Sequence, residues 1–437
     1  MFKRSILFLL SLLLVAGVFV PVISAQENVT ITVLNYMDLT APGTERTLKE
    51  VWYAFDEQHP NITVLREDLY LDAFHNKVEA YAAADKLPDV VYMWPGGRST
   101  TLHTKGLVKD LRPLLGDEAQ YYHEYATVDQ AGGFLALIPS TRTSSHAMFV
   151  NVALLDELGL EVPETYEELA AMAPVLQAKG LDTVLMGAQD DWVLQSCLFS
   201  MLAGRFVGDE KFDEIKAGQA KFTDPEFMAA LEFYAQLYAD GVLSPKIMNT
   251  GYGEVKSLFA AGHAPFLIDG DWAAGNFVTD ESTGEALISP EDQKQIKMMV
   301  FPAIPGELHA NSSSGTLGVG YGMSANIPDG SAKEAAAWEL IKWLSGPVVQ
   351  GISLETTGTL PSRNDVGFAD VEPILEERIF NFYNLIEADT YILDDFFEAD
   401  VFMPINIGLQ EIGLGLATPA EVAEATQEAF DIWFAGQ

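Results

Sequence analysis

The 437-residue chain carries 63 aspartates and glutamates against 25 lysines and arginines, a formal charge of −38, which excludes a nucleic-acid partner because a polyphosphate needs a basic footprint. With 49% hydrophobic and 20% charged residues, it has core enough for two or three domains. Cys197 is the only cysteine, so the sequence allows no disulfide within the chain and offers no lipobox cysteine behind a processing site.

Residues 1–25 open with Lys3 and Arg4, continue as "ILFLLSLLLVAGVFV" and close on "ISA". This basic, apolar, small-residue order is that of a cleavable signal peptide. A retained anchor is the competing reading, but the run is short for a span and no basic stop follows. No later stretch reaches about 18 apolar residues, so the expectation is a soluble periplasmic protein.

"VTITVLNY" (29–36) alternates with period two, "TERTLKEVWYAFDEQHP" repeats apolar residues at helical spacing, and "NITVLRE" and "DAFHNKVEAYAAADK" repeat that strand-helix pair. "LPDVVYMWPGG" then reads as a buried strand entering a glycine turn. This β-α-β-α-β order predicts an α/β fold with a mostly parallel sheet flanked by helices. Ligands of such sheets bind beyond the carboxyl ends of the strands. That places Asn35, Tyr36 and Asp38 after the first strand, and Trp94, Gly97 and Arg98 after the third, among the binding candidates.

The middle is richer in helix. Thr165 to Glu168 and Thr418 to Glu421 are capping boxes, and Ser331 with Glu334 has the same spacing. Asp224 and Pro225 read as the start of a helix that Gly241 stops. Cys197, in "VLQSCLFSML", reads as a small buried hydrophobe. "VLMGAQ" (184–189), "PFLIDGDW" (265–272) and "KMMVFPAI" (297–304) read as strands of a second sheet, which makes two lobes.

Several segments together resemble the extracellular solute-binding proteins of ABC sugar importers, the class that includes maltose- and oligosaccharide-binding proteins. They are "LPDVVYMWPGG", "AMFVNVALLDELGLEVPETYEEL", "LFAAGHAPFLIDGDW", "VFPAIPG" with "GVGYGMSANIPDGSAKEAAAWELIKWLSG", and "TGTLPSRND", which recur in the family's order along nearly the whole chain. Phe149 and Tyr166 stand where the family pattern has tyrosine and tryptophan, and the lipid-bearing cysteine of many members is missing. The resemblance implies a two-lobed periplasmic binding protein of type II, with the chain crossing near Pro139 to Arg142, Phe301 to Pro305, and Gly346. The lobes would be 26–140 with 303–346, and 141–302 with 347–437. It also implies a sugar in the cleft between lobes that rotate about the crossings, ABC permease subunits as membrane partners, a monomer, and no cofactor, metal or catalytic residue.

A sugar presents hydroxyls on its rim and C–H patches on its faces, so its cleft needs aromatic platforms and fixed polar groups. "FLIDGDWAAG" supplies both through Trp272, Asp269 and Asp271, and "GAQDDW" through Asp191 and Trp192. Carboxylates accept strong hydroxyl bonds and Arg98 is a forked donor. Trp52, Trp338, Trp343 and Trp433 sit on amphipathic helices and read as core. The resemblance adds Gly320 and Tyr321 as a strand lining the cleft and Arg363 at its mouth.

Other classes have weaker support. Gly320 to Ala325 fits a dinucleotide fingerprint, but "NIPDG" follows where a helix must begin. A secreted glycoside hydrolase needs only two suitably spaced carboxylates, yet the sequence has no G-x-S-x-G elbow and no H-E-x-x-H. Tyr121-Tyr122 is similar to the tyrosine pair of iron-binding relatives and reads better as packing. Calcium on an acidic loop such as "YILDDFFEAD" stays open, as do polyol, glycerophosphodiester and polyamine ligands.

Overall fold

The computed structural model describes residues 28–39, 44–123, 133–280 and 284–437, and the signal reading of residues 1–25 lies outside them. Thirteen strands are present among the described residues: β1 (Val29–Tyr36), β2 (Ile62–Leu69), β3 (Val90–Met93), β4 (Ile138–Pro139), β5 (Thr141–Ser144), β6 (Ala147–Asn151), β7 (Val184–Leu185), β8 (Phe266–Asp269), β9 (Ile296–Met299), β10 (Ser312–Leu317), β11 (Gly320–Met323), β12 (Leu360–Pro361) and β13 (Ala388–Thr390).

The first sheet has the order β2-β1-β3-β11-β4. β1 is parallel to β2 from Val29 opposite Ile62 to Tyr36 opposite Leu69, and parallel to β3, whereas β11 is antiparallel to both its neighbours. The second sheet, β7-β8-β6-β9, also contains one reversed strand, β6. The remaining strands of each sheet run one way, as the β-α-β-α-β reading predicts. Ile31, Val33 and Val90 bury their side chains in the first lobe with Trp52, Phe55 and Ile341. The second lobe is built on Phe199, Phe212, Phe227 and Tyr234. Cys197 is wholly buried there. Trp338 and Trp343 pack on the first core and Trp433 on the second.

Thr165 and Thr418 both close reciprocal capping boxes. The Ser331 hydroxyl caps Glu334 N–H, but the Glu334 carboxylate bonds Gly330 N–H and pairs with Lys109 instead. Asp224 turns its carboxylate back to Lys221 N–H and Lys211 rather than capping its helix.

A third sheet, β12-β5-β10-β13, which no hydrophobic pattern announces, lies where the chain changes lobes. β4 in the first sheet runs into β5 with only Ser140 between them, and β10 returns into β11 two residues on. The chain thus passes from the third sheet to the first at 318–319, later than the Phe301 to Pro305 that the resemblance implies. Arg205 supplies the reason, because its buried guanidinium donates to the carbonyls of Pro302 and Ser312 at 3.1 Å and pairs with Glu307 at 3.2 Å. Residues 302–312 are thus tied to the second lobe. Helix Pro347–Thr357 contributes Ile352 to the first core and Leu354 to a core of the second lobe.

Removing one partner of a buried ion pair strands the other charge and costs about 3–5 kcal/mol. Arg205→Met is expected to lower the stability of the folded chain by about that amount, read by urea unfolding. A change within error would show that these bonds do not hold the crossing.

Candidate functional site

β1 and β3 end side by side, and the residues after them form an aromatic group on the first lobe. The Tyr36 ring lies 4.9 Å from Tyr70, 5.5 Å from Tyr92 and 5.0 Å from Trp94, with His75 5.0 Å from Trp94. Burial first, then the phenols of Tyr70 and Tyr92, push the Tyr36 phenol far above its ordinary range, and burial lowers His75 to about 4. Both are neutral at physiological pH. Tyr70 directly follows β2, which runs two residues past the "NITVLRE" of the sequence reading, and His75 lies within the next helix, Asp72–Ala83, so neither carries the signature that singled out Tyr36.

A second group belongs to the other lobe. Trp192 meets the Tyr252 ring edge-on at 5.1 Å and lies 6.4 Å from Trp272. The Trp272 Nε1–H donates to the Tyr252 hydroxyl at 2.6 Å, and that hydroxyl donates to Asp269 Oδ1 at 3.0 Å. Tyr252 was missed because it opens the helix Tyr252–Ala260 and reads there as ordinary helical surface.

The two groups face each other. Tyr70 has its phenol pushed up to about 12, by burial first and then by Asp38 of its own lobe and Asp269 and Asp190 of the other. Burial raises Asp191 above the usual carboxylate range, and Arg98 across the cleft opposes that rise. Asp190 is raised by burial, and Asp72 of the first lobe adds to the shift. Tyr36, Tyr70, Trp94, Trp192 and Trp272 are all half-buried, so rings and carboxylates of both lobes line one space that solvent still reaches.

Other candidates serve the scaffold. Asn35 is buried, donating to Asp68 at 2.8 Å and accepting from the Tyr321 hydroxyl at 2.7 Å, so this pair ties β1 to β11. Gly320 is required by strand packing, since a Cβ there would stand 2.0 Å from the Ile138 carbonyl oxygen. The Asp38 backbone carbonyl accepts from Thr44. Asp269 spends its carboxylate on Tyr252, on Gly270 N–H at 2.8 Å and on Lys256 at 2.8 Å. Asp271 is wholly buried, accepting from Ser144 N–H at 3.1 Å and the Tyr383 hydroxyl at 2.5 Å, and burial raises it to about 7. Arg363 sits elsewhere, under the Tyr121 and Tyr122 rings at 5.0 Å and forked onto Asp365. Asp269, Asp271, Gly320 and Arg363 thus each have partners within the scaffold.

Gly97 and Arg98 make the inter-lobe contact itself. The Arg98 guanidinium donates to Asp394 at 2.6 and 2.9 Å. A Cβ on Gly97 would stand 1.9 Å from the Phe397 carbonyl oxygen, and one on Gly96 2.0 Å from that of Asp395. Backbone meets backbone here, and only glycine permits it.

A two-lobed α/β scaffold with aromatic rings on both faces of an inter-lobe cleft defines a ligand-binding protein. Residues 41–351 match the family model described as bacterial extracellular solute-binding protein, and the chain belongs to that family. No curated protein sequence matches it significantly. Among solved structures it is similar to one titled for xylan utilization by the thermophilic bacterium Caldanaerobius polysaccharolyticus, at 22% identity over 91% of this chain and 99% of the other, TM-score 0.81. It is also similar to a chitin oligosaccharide binding protein, at 22% identity over 93% and 100% of the two chains, TM-score 0.80. A maltose/maltodextrin-binding domain of Bdellovibrio bacteriovorus bound to maltotriose matches at 18% identity over 93% and 100%, TM-score 0.70.

The glycine contact makes a direct prediction. Gly97→Ala is expected to hold the lobes apart while leaving each one folded, seen as a larger radius of gyration in small-angle X-ray scattering with an unchanged circular dichroism spectrum. An unchanged radius would show that the lobes meet without this close approach.

Proposed function

We propose that this chain is the carbohydrate-binding component of an ABC importer. The observation that carries the reading is the pair of aromatic groups, Tyr36, Tyr70 and Trp94 on one lobe and Trp192, Tyr252 and Trp272 on the other, with Asp190 and Asp191 among them. Stacked rings accept the C–H faces of a pyranose, and the carboxylates accept its hydroxyls. The xylan, chitin and maltose titles of similar structures fit such a ligand.

Binding would proceed by rotation of the lobes about the segments that join the third sheet to the first, with closure burying the sugar between them. Lobes of 26–140 with 319–346, and 141–318 with 347–437, agree with the sheet assignments. The closed pair of lobe surfaces would then be read by permease subunits at the bacterial membrane, with the protein acting as an exported monomer. No catalytic residue is assigned, and the glycoside hydrolase alternative has no particular carboxylate pair in its favour.

Calorimetric titration with xylotriose, chitotriose and maltotriose tests this. Saturable binding of one of the three, with the sugar recovered intact, is the expected result. Trp272→Ala and Trp94→Ala should each raise Kd by roughly thirtyfold, the about 2 kcal/mol of a buried aromatic anchor, while Trp433→Phe leaves it unchanged. Cleavage of the sugar, or no binding of any of the three, would overturn the proposal.

A further inference from the structure

Trp272 does not stand alone in the short helix Asp271–Phe277. Its indole N–H is spent on the Tyr252 hydroxyl at 2.6 Å, and the Tyr252 proton is spent on Asp269 Oδ1 at 3.0 Å. Asp269 is buried and ion-paired at 2.8 Å with Lys256, whose ammonium also lies over the Tyr252 ring and donates to the Tyr252 carbonyl at 3.1 Å. The second fixed point is steric, because the Trp272 benzene ring rests against Gly270, where a Cβ would come within 2.3 Å of it.

We infer that Tyr252, held by Asp269 and Lys256, is a positioning residue that fixes the plane of Trp272 as one wall of the cleft. The inference rests on the carbohydrate reading for what Trp272 meets, but not for the relay itself. The polarity of the relay is set by its far end. Asp269, paired with a cation, acts as an acceptor and orients the tyrosine proton toward itself. The tyrosine oxygen is then left with lone pairs for the indole, which can only donate. A tryptophan tethered through its N–H and seated on glycine keeps one ring face for a ligand and loses little rotational freedom on binding. The same arrangement assigns Asp269 a supporting duty instead of the direct sugar contact that its sequence context suggests. It also explains why "IDGDW" needs glycine at 270 although the backbone there has no positive φ.

Tyr252→Phe removes both bonds and keeps the ring. In the ligand-free protein, the indole ¹H–¹⁵N signal of Trp272 is expected to move upfield, while the five tryptophans that touch neither Tyr252 nor Trp272 stay in place. With whichever of xylotriose, chitotriose or maltotriose the wild type binds, Kd should rise about tenfold, the worth of one net hydrogen bond. In a Trp272→Phe background, which has no N–H to tether, the same change should alter Kd less than twofold. Gly270→Ala, which lifts the ring from its seat, should also weaken binding with the fold intact by circular dichroism. An unmoved indole signal, or an equal loss of affinity in both backgrounds, would overturn the inference. If no sugar binds the wild type, the carbohydrate reading fails, and the indole signal still decides the relay.

Discussion

β5 and β10 lie antiparallel, Gly315 opposite Ser144 and Leu317 opposite Arg142, and they carry the chain between the lobes. This pairing lies beside two of the connections between the lobes and is largely buried and polar. Ser144, Ser145, Ser312, Ser313 and Ser314 are all essentially without solvent contact. Their hydroxyls bond each other and nearby carbonyls: Ser144 to Ser313 at 3.1 Å, Ser145 to Ser314 and to the Ser196 carbonyl at 2.7 Å, and Ser313 to the His146 carbonyl at 3.1 Å. A hydroxyl both donates and accepts and can rotate between partners. The serines therefore satisfy one another inside this buried seam.

The remainder of the structure works from that seam. Each lobe is rigid because its own core is closed, and the Asn35–Tyr321 bond locks β1 to the strand that returns from the second lobe. Across the opening, Gly96 and Gly97 meet the 395–397 backbone while Arg98 forks onto Asp394. The lobes are thus joined by hydrogen-bonded strands at the crossings and touch again through the two glycines and one ion pair. The aromatic rings lie between them, where movement of either lobe changes their separation.

Much of this was legible in the sequence. Period-two alternation marked β1 to its last residue, and five motifs in family order pointed to the two-lobed fold. Strand-end and loop context separates Trp94, Trp192 and Trp272 from the helical tryptophans, although Trp192 and Trp272 also pack against the second core as Trp433 does. The misses have physical causes. The runs "TSSHAM" and "NSSSG" look like loops, because serine hydroxyls that satisfy each other in a buried seam give no hydrophobic periodicity. Asp269 and Asp271 have the composition of a polar site, but only the fold reveals that Lys256, Tyr252 and Tyr383 already occupy them. His75 and Tyr252 sit on helices, so the strand-end rule passes over them, and Tyr70 follows a strand that runs two residues beyond its apolar alternation.

The central claim is that a ligand is held by closing the aromatic faces of two lobes on one another. The most direct test is the distance between spin labels at Glu79→Cys and Glu232→Cys, exposed positions on opposite lobes, measured by double electron–electron resonance with and without the sugar that calorimetry shows to bind. Cys197 is buried and does not compete for label. The account predicts that sugar collapses a broader, longer distribution onto the single separation seen in this structure. Full occupancy with an unchanged distribution would contradict it.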